Sequence, residues 1–125
     1  MVYEQSLQFS FEAAHELGAA VRGEGDHPYA RIHGHSFVVT VTLRAGALTS
    51  AGWIMDFAEL RRISERVRDL LDHRLLNLIA GLERPTLENL AAWIFKAFAA
   101  EVEGLWRVEV ARPTLNERVA CYATG

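Results

Sequence analysis

Arg31-Ile32-His33-Gly34-His35-Ser36-Phe37-Val38-Val39-Thr40-Val41-Thr42-Leu43 is the stretch on which the fold turns. Its β-branched run, Val38 to Thr42, suits a pleated surface and predicts a strand from about Ile32 to Leu43, ended by the Gly46 and Gly52 region. Side chains at i and i+2 of a strand share a face, so His33 and His35 present two imidazoles side by side. Upstream, residues 3 to 12 place Tyr3, Leu7, Phe9 and Phe11 on one parity and mostly polar groups on the other. That alternation predicts a half-buried strand. His15 follows its end, and antiparallel pairing of the two strands would bring it to the same place as His33 and His35. Between them, Gly18 to Ala30 carries Gly18, Gly23, Gly25 and Pro28 with no period. This is a long loop, of the kind that is usually functional or mobile.

Downstream, Asp56 followed by Glu59 has the spacing of a capping box and predicts a helix start. Phe57, Leu60, Ile63, Val67, Leu70 and Leu71 then recur at three- and four-residue spacing opposite Arg61, Arg62, Glu65, Arg66 and Asp69. Asp72 to Arg84 breaks the rhythm. Pro85-Thr86 opens a second helix, capped by Thr86, with Leu87, Leu90, Ala91, Ile94 and Phe98 as its apolar stripe. Val108 to Ala111 and Val119 to Ala123 are two further short strands. The order β-β-α-α-β-β, with no repeat, low-complexity stretch or linker, predicts one α+β domain over residues 1–125. Its helices pack on one face of a four-stranded antiparallel sheet. The other face needs water, a ligand or another subunit, and the apolar content of the second strand favours a subunit.

Composition narrows the class. The chain has 125 residues, 50% hydrophobic and 23% charged, with 13 basic against 16 acidic side chains and a net charge of −3. Such a chain buries roughly two-thirds of its unfolded surface, enough for one core. One cysteine, Cys121, makes no internal disulfide, which fits a reducing compartment. The Met-Val-Tyr-Glu start has no secretory pattern, so a cytoplasmic protein is expected. Charges such as Glu59, Arg61 and Arg62 interrupt every apolar run well short of the roughly 20 residues that span a bilayer, which excludes membrane insertion. A pI near 5.9 and the lack of any Lys/Arg cluster exclude a duplex nucleic-acid binder. A small, nucleotide-sized ligand remains open.

Three neutral imidazoles, about 2.0 to 2.1 Å from one ion, form the three-ligand arrangement of catalytic zinc and leave one position open. His15, His33 and His35 are the candidates, although each also fits an ordinary strand or loop histidine. Asp72-His73 stands where the first helical pattern stops. A carboxylate that accepts from an imidazole fixes its tautomer and raises its basicity, as a proton-transfer pair requires. A solvated helix cap would have the same two residues.

Taken together, five ordered motifs are more specific than any one of them. They are Phe11-Glu12-Ala13-Ala14-His15; Arg31 to Phe37; Gly52-Trp53-Ile54-Met55-Asp56-Phe57; Leu71-Asp72-His73-Arg74-Leu75-Leu76-Asn77; and Pro85-Thr86-Leu87-Glu88-Asn89-Leu90-Ala91. In this order and spacing the chain resembles the 6-pyruvoyl-tetrahydropterin synthase and 6-carboxy-tetrahydropterin synthase family, up to about Val110. The resemblance implies the tunnelling fold (T-fold), whose subunits join edge to edge as a trimeric barrel, with two trimers stacked into a hexamer. It implies that His15, His33 and His35 bind Zn2+ and that Asp72 and His73 relay protons. It also implies a small-molecule pterin substrate, 7,8-dihydroneopterin triphosphate, whose side-chain hydroxyls the zinc would activate as a Lewis acid. The carboxy branch shortens the side chain with loss of acetaldehyde on the way to a deazapurine such as queuosine, whereas the pyruvoyl branch retains it. Arg31, of the same strand parity as the histidines, either faces the triphosphate or is a solvated edge residue.

The chain departs from the family pattern twice. Four residues before His33, where the family has its catalytic cysteine, stands Tyr29, a phenol with a normal pKa near 10 that zinc or His27 could lower. Ala30 holds the place of the glutamate that some members use, with Glu24 and Asp26 further upstream. Near the end, Ala111-Arg112 replaces the Glu-Thr pair whose glutamate anchors the guanidine-like edge of the pterin. That leaves Glu109, Glu117 or another subunit for the role. Cys121 reads as a small buried hydrophobe, with a catalytic role only if the last strand reaches the zinc. The first reading is a zinc-dependent lyase of the 6-carboxy-tetrahydropterin synthase type, to which the wording Arg-Ile-His-Gly-His-Ser-Phe is closest. The alternatives are a 6-pyruvoyl-tetrahydropterin synthase, an aldolase-like cleavage of a related pterin, simple triphosphate elimination, or a noncatalytic zinc- or pterin-binding module.

Overall fold

Antiparallel register converts the two histidine-bearing strands into one surface. In the computed structural model, which describes residues 1–18 and 30–124, β1 (Tyr3–His15) pairs with β2 (His33–Ala45) from Tyr3–Ala45 to His15–His33. Odd-numbered residues of both strands therefore share a face. On it lie buried Leu7, Phe11, Ala13, Phe37, Val39, Val41 and Leu43, with the Phe11 and Phe37 rings stacked 5.0 Å apart. β3 (Leu105–Arg112) pairs with β2, and β4 (Glu117–Tyr122) with β3, giving the sheet order β1-β2-β3-β4. The pairing of Val41 with Val108 and of Val39 with Val110 adds two more buried valines to the same face.

Two helices cover that face. α1 (Phe57–Leu71) contributes Leu60, Ile63, Val67 and Leu71, and α2 (Leu87–Ala99) contributes Leu87, Leu90, Ala91, Ile94 and Phe98, to one hydrophobic cluster with the strands. Each of the larger ones, Leu, Ile, Val or Phe, contributes about 1.5 to 3 kcal/mol relative to exposure when fully buried. Asp56 caps α1 by accepting from the Ala58 amide at 2.9 Å. The capping box is only half formed, because Glu59 turns instead to Arg62 at 2.6 Å. Thr86 caps α2, its hydroxyl oxygen accepting from the Asn89 amide at 3.1 Å. In the turn into β3, Gly104 (φ 79°) lies so close to β2 that a Cβ would stand 3.0 Å from the Arg44 carbonyl, and its own carbonyl accepts the Arg44 amide at 2.8 Å.

The architecture is the expected T-fold, with longer strands. β1 runs on to His15 because Ala13 and His15 continue the inward parity of Phe11; two small residues and a histidine carry little strand signal on their own. β3 likewise begins at Leu105, before the mixed Trp106-Arg107 pair. The argument that apolar residues of the second strand favour a covering subunit does not hold. Val39, Val41 and Leu43 face the helices, and the opposite face is a polar ladder. Gln8 donates to Thr40 at 3.0 Å, Ser6 and Thr42 hydroxyls meet at 2.9 Å, and Ser36 donates to Glu12 at 2.7 Å. No helix among the described residues is long and apolar enough to cross a membrane.

Candidate metal centre and its acid-base pair

The inward parity of the β1–β2 hairpin continues past the core into three histidines. His15 pairs with His33 and Ala13 with His35, so His15, His33 and His35 share the inner face at the end of the hairpin, next to Phe37. One ligand atom from each lies within 4.8 Å of the other two. The rings stand steeply to one another, with centroids 4.6, 5.0 and 4.7 Å apart, so their nitrogens converge without stacking. Phe37 closes the core side, 6.1 Å from His15 and 5.7 Å from His35.

Hydrogen bonds fix which nitrogens are available. His15, only 1% exposed, places Nδ1 2.9 Å from the Pro85 carbonyl just ahead of α2. His33 places Nδ1 2.7 Å from the Arg31 carbonyl. A carbonyl only accepts, so in each neutral ring Nδ1 carries the proton and Nε2 bears the lone pair. The two Nε2 atoms face each other at 3.0 Å. Two lone pairs at that distance share no proton, whereas a cation would satisfy both. Backbone carbonyls that hold Nδ1–H of a ligand histidine are the usual outer partners of a metal site, and three imidazoles suit zinc and its neighbours. The residues therefore fit a metal ion.

Electrostatics point the same way. Burial lowers the pKa of His15, against the opposing pull of the Pro85 carbonyl and with smaller help from His33 and Arg112. Burial, followed by His15, Arg112 and His33, pushes His35 down to about 4. Both rings are thus neutral at pH 7, as metal ligation requires.

Asp72 and His73 are held against the free edge of β1. Asp72 ends α1, its amide donating to the Arg68 carbonyl at 2.8 Å, and His73 adopts φ 56°. The His73 amide donates to the Glu12 carbonyl at 2.6 Å, and the Ala14 amide to the Arg74 carbonyl at 2.9 Å. Asp72 Oδ1 accepts from the Glu12 amide at 3.0 Å. Its Oδ2 lies 3.0 Å from His73 Nδ1 and 3.2 Å from the Arg68 guanidinium. The Glu12 amide first, then the His73 contact and the charge of Arg68, hold the Asp72 carboxyl below its usual range. With Nδ1 so engaged, His73, 77% exposed, turns Nε2 outward. His73 and His35 line one cleft of about 590 Å³ with Glu12, Ser36 and Thr114.

Other candidates fall elsewhere. Arg31 is exposed, and what it offers His33 is its backbone carbonyl. Glu109 is on the polar face, tied to Arg107 at 3.0 Å and Arg118 at 3.8 Å, and Glu117 pairs with Arg112 at 3.0 Å. Cys121 lies level with Val108 and Val41, six residues along β2 from His35, or about 20 Å at strand rise, and burial raises its pKa. Glu24, Asp26, His27 and Tyr29 lie outside the described residues. Sequence reasoning missed Pro85, which acts through a carbonyl, and Asn77. The Asn77 side chain clamps the strand exit by donating to the Glu16 carbonyl at 2.9 Å and accepting from its amide at 3.0 Å. Both residues stand within the quoted motifs, which was the available signal.

Comparison with known proteins identifies the family of the chain. The family model for 6-pyruvoyl tetrahydropterin synthase matches residues 4–124. A 6-carboxy-5,6,7,8-tetrahydropterin synthase of Synechocystis sp. is 44% identical over 109 residues, covering 82% of this chain and 81% of the relative. A dihydroneopterin monophosphate aldolase of Pyrococcus furiosus is 36% identical over 95 residues, covering 76% and 74%. The solved 6-pyruvoyl tetrahydropterin synthase of Caenorhabditis elegans superposes with a TM-score of 0.84 over 99% of this chain and 97% of that one, at 23% identity, and so speaks for the fold. With the motifs, the fold and the relatives in agreement, the chain belongs to the 6-pyruvoyl tetrahydropterin synthase family.

Proposed function

We propose that the chain is a zinc-dependent lyase of the 6-carboxy-tetrahydropterin synthase type, acting on 7,8-dihydroneopterin triphosphate in deazapurine or pterin biosynthesis. The observation that carries this reading is a three-imidazole cluster, the tautomers of His15 and His33 set by carbonyls, that reaches through His35 into the cleft holding His73. The Synechocystis relative, a 6-carboxy-tetrahydropterin synthase, supports that branch.

His15, His33 and His35 would hold the zinc, the Nε2 atoms of His15 and His33 being the ones left available. When bound, zinc supplies Lewis acidity that eases deprotonation of a substrate hydroxyl. Asp72 fixes the His73 ring by taking its Nδ1–H, so that Nε2 is the site at which a proton is taken up or returned in the cleft. The Asp72 carboxylate stays ionised because Glu12 and Arg68 stabilise it, and it supports the imidazolium when His73 is charged. We also read residues 1–125 as one functional unit, working in the cytoplasm as a trimer or hexamer. Among the described residues β4 has no strand on its far side, which leaves an edge for a partner copy. Sedimentation as a monomer of 14.0 kDa at micromolar concentration would exclude the assembly.

A second reading, aldolase-like cleavage of a related pterin, is favoured by the Pyrococcus furiosus relative and by Ala111-Arg112 in place of the pterin anchor. Product analysis decides between them. Zinc-loaded protein incubated with 7,8-dihydroneopterin triphosphate should release acetaldehyde and a carboxylated pterin. An aldolase would release a fragment that keeps a hydroxyl, and unchanged substrate would refute both. His73→Ala should retain zinc and lose turnover, whereas a binding module would keep its ligand affinity and have nothing else to lose.

A further inference from the structure

Arg112 is the last residue of β3 and follows the inward parity of Val108 and Val110. The register that pairs Val38 with Ala111, carried one step on, sets Arg112 level with Phe37, the ring that closes the core side of the three histidines. Its side chain is 11% exposed. One terminal nitrogen reaches Glu117 Oε1 at 3.0 Å, which satisfies one edge of the guanidinium. The Nε–H is buried and has no acceptor among the described residues.

A buried donor on a permanent cation is costly unless an acceptor meets it, and arginine cannot escape by losing its proton. The guanidinium is only partly balanced by half-exposed Glu117, and a divalent ion among the three imidazoles would add further positive charge, with Glu12 the carboxylate that lines the adjoining cleft. A ligand that enters such a site is favoured if it brings negative charge, and a guanidinium matches a planar or tetrahedral oxyanion better than any neutral group.

We infer that Arg112 is a specificity residue that receives an oxyanion, a carboxylate or phosphoryl group, of the ligand entering the three-histidine site. This deepens the proposed function, because it sets the charge of the substrate edge opposite the histidines and rests on that site being the one used.

The test is calorimetric titration of the zinc-loaded chain with sodium acetate and, separately, with inorganic phosphate at fixed ionic strength, with zinc content measured alongside. The expected result is saturable binding of at least one anion, weakened tenfold or more in Arg112→Met with zinc content unchanged, and weakened less in Arg112→Lys, which keeps the charge but not the planar fork. The arm that binds tells carboxylate from phosphoryl. Equal binding by Arg112→Met and wild type, or no binding of either anion to wild type, overturns the inference while leaving the metal centre intact. A wild-type chain that takes up no zinc refutes the metal reading instead. The same titrations on that metal-free protein then decide Arg112 separately, since the guanidinium and its buried donor do not depend on the ion.

Discussion

Zinc should raise the melting temperature of this chain by an amount that can be worked out beforehand. A ligand that binds only the native state stabilises it by RT ln(1 + [L]/Kd), or about 2.7 kcal/mol at a hundredfold excess over Kd and about 4.1 at a thousandfold. For 125 residues, an unfolding entropy of about 2.1 cal/mol/K per residue gives about 0.26 kcal/mol/K, so the two excesses correspond to about 10 °C and about 16 °C. The geometry explains why the native state should be selective. Only folding brings the facing Nε2 atoms of His15 and His33 to 3.0 Å with both Nδ1–H groups already engaged. The assay is calorimetry of chelator-treated protein against the same protein at set free zinc. His33→Ala removes one of the facing lone pairs, so its metal-free melting temperature should stay near wild type while its zinc shift collapses below about 3 °C. A wild-type shift under about 2 °C at a hundredfold excess, or a full shift in His33→Ala, would falsify the three-histidine assignment.

Three other outcomes follow from the same contacts. His35 has a folded-state pKa pushed from 6.5 to about 4, and His15 moves in the same direction, so the unfolded metal-free chain binds more protons between those values. Stability is therefore complete above pH 6.5 and is lost as pH falls toward 4. The full value for His35 is about 3 kcal/mol, screened by solvent around its half-exposed ring to about 1 to 2; urea midpoints at pH 7 and 4.5 should show this difference shrinking in His35→Asn. Asp72→Asn should keep zinc and lower turnover of 7,8-dihydroneopterin triphosphate by about 10² to 10⁴, so wild-type turnover in that variant would end the relay reading. Thr86→Ala removes the α2 cap and should cost about 1 kcal/mol, or about 4 °C. Because Pro85 adjoins it, the same change should also weaken zinc binding, measured by chelator competition, and unchanged zinc affinity would uncouple the cap from the site.

What the sequence revealed, and what it hid, follows from the range of the forces involved. Parity and helical spacing are local, so the inward sets Leu7–Phe11, Phe37–Leu43, Leu60–Leu71 and Leu87–Phe98 could be read directly. The face that each parity meets is not local. The apolar residues of β2 suggested a subunit, but α1 and α2 already occupy that side. His33 and His35 were legible because their spacing alone puts them on one face, whereas His15 needed the register of a partner strand. The Asp72–His73 pair was legible as a pair, but not the Glu12 backbone that grips it, since a main-chain amide and carbonyl carry no residue identity. Arg112 was visible only as a substitution; its inward burial beside the histidines depends on β3 pairing. Glu109 illustrates the converse, a carboxylate of the right type on the same face as Ala111 but two residues along β3 and already tied to Arg107 and Arg118.

The hairpin register is the element that joins the two halves of the site. Glu12 holds Asp72 and His73 through its amide and carbonyl, and His15 lies three residues further along β1, about 10 Å at strand rise. The proton pair and the histidine cluster are thus spaced by one strand, and the Phe11–Phe37 stack keeps that strand in step with β2. A one-residue slip would turn His15 to the polar face and leave His33 and His35 without it, while moving Leu7 and Phe11 out of the core. The core therefore penalises the same error that would dismantle the histidine cluster, and burial and the geometry of the proposed site are enforced by one set of contacts. Substitutions in the Phe11–Phe37 layer should accordingly cost metal affinity as well as stability, although neither ring offers a ligand atom.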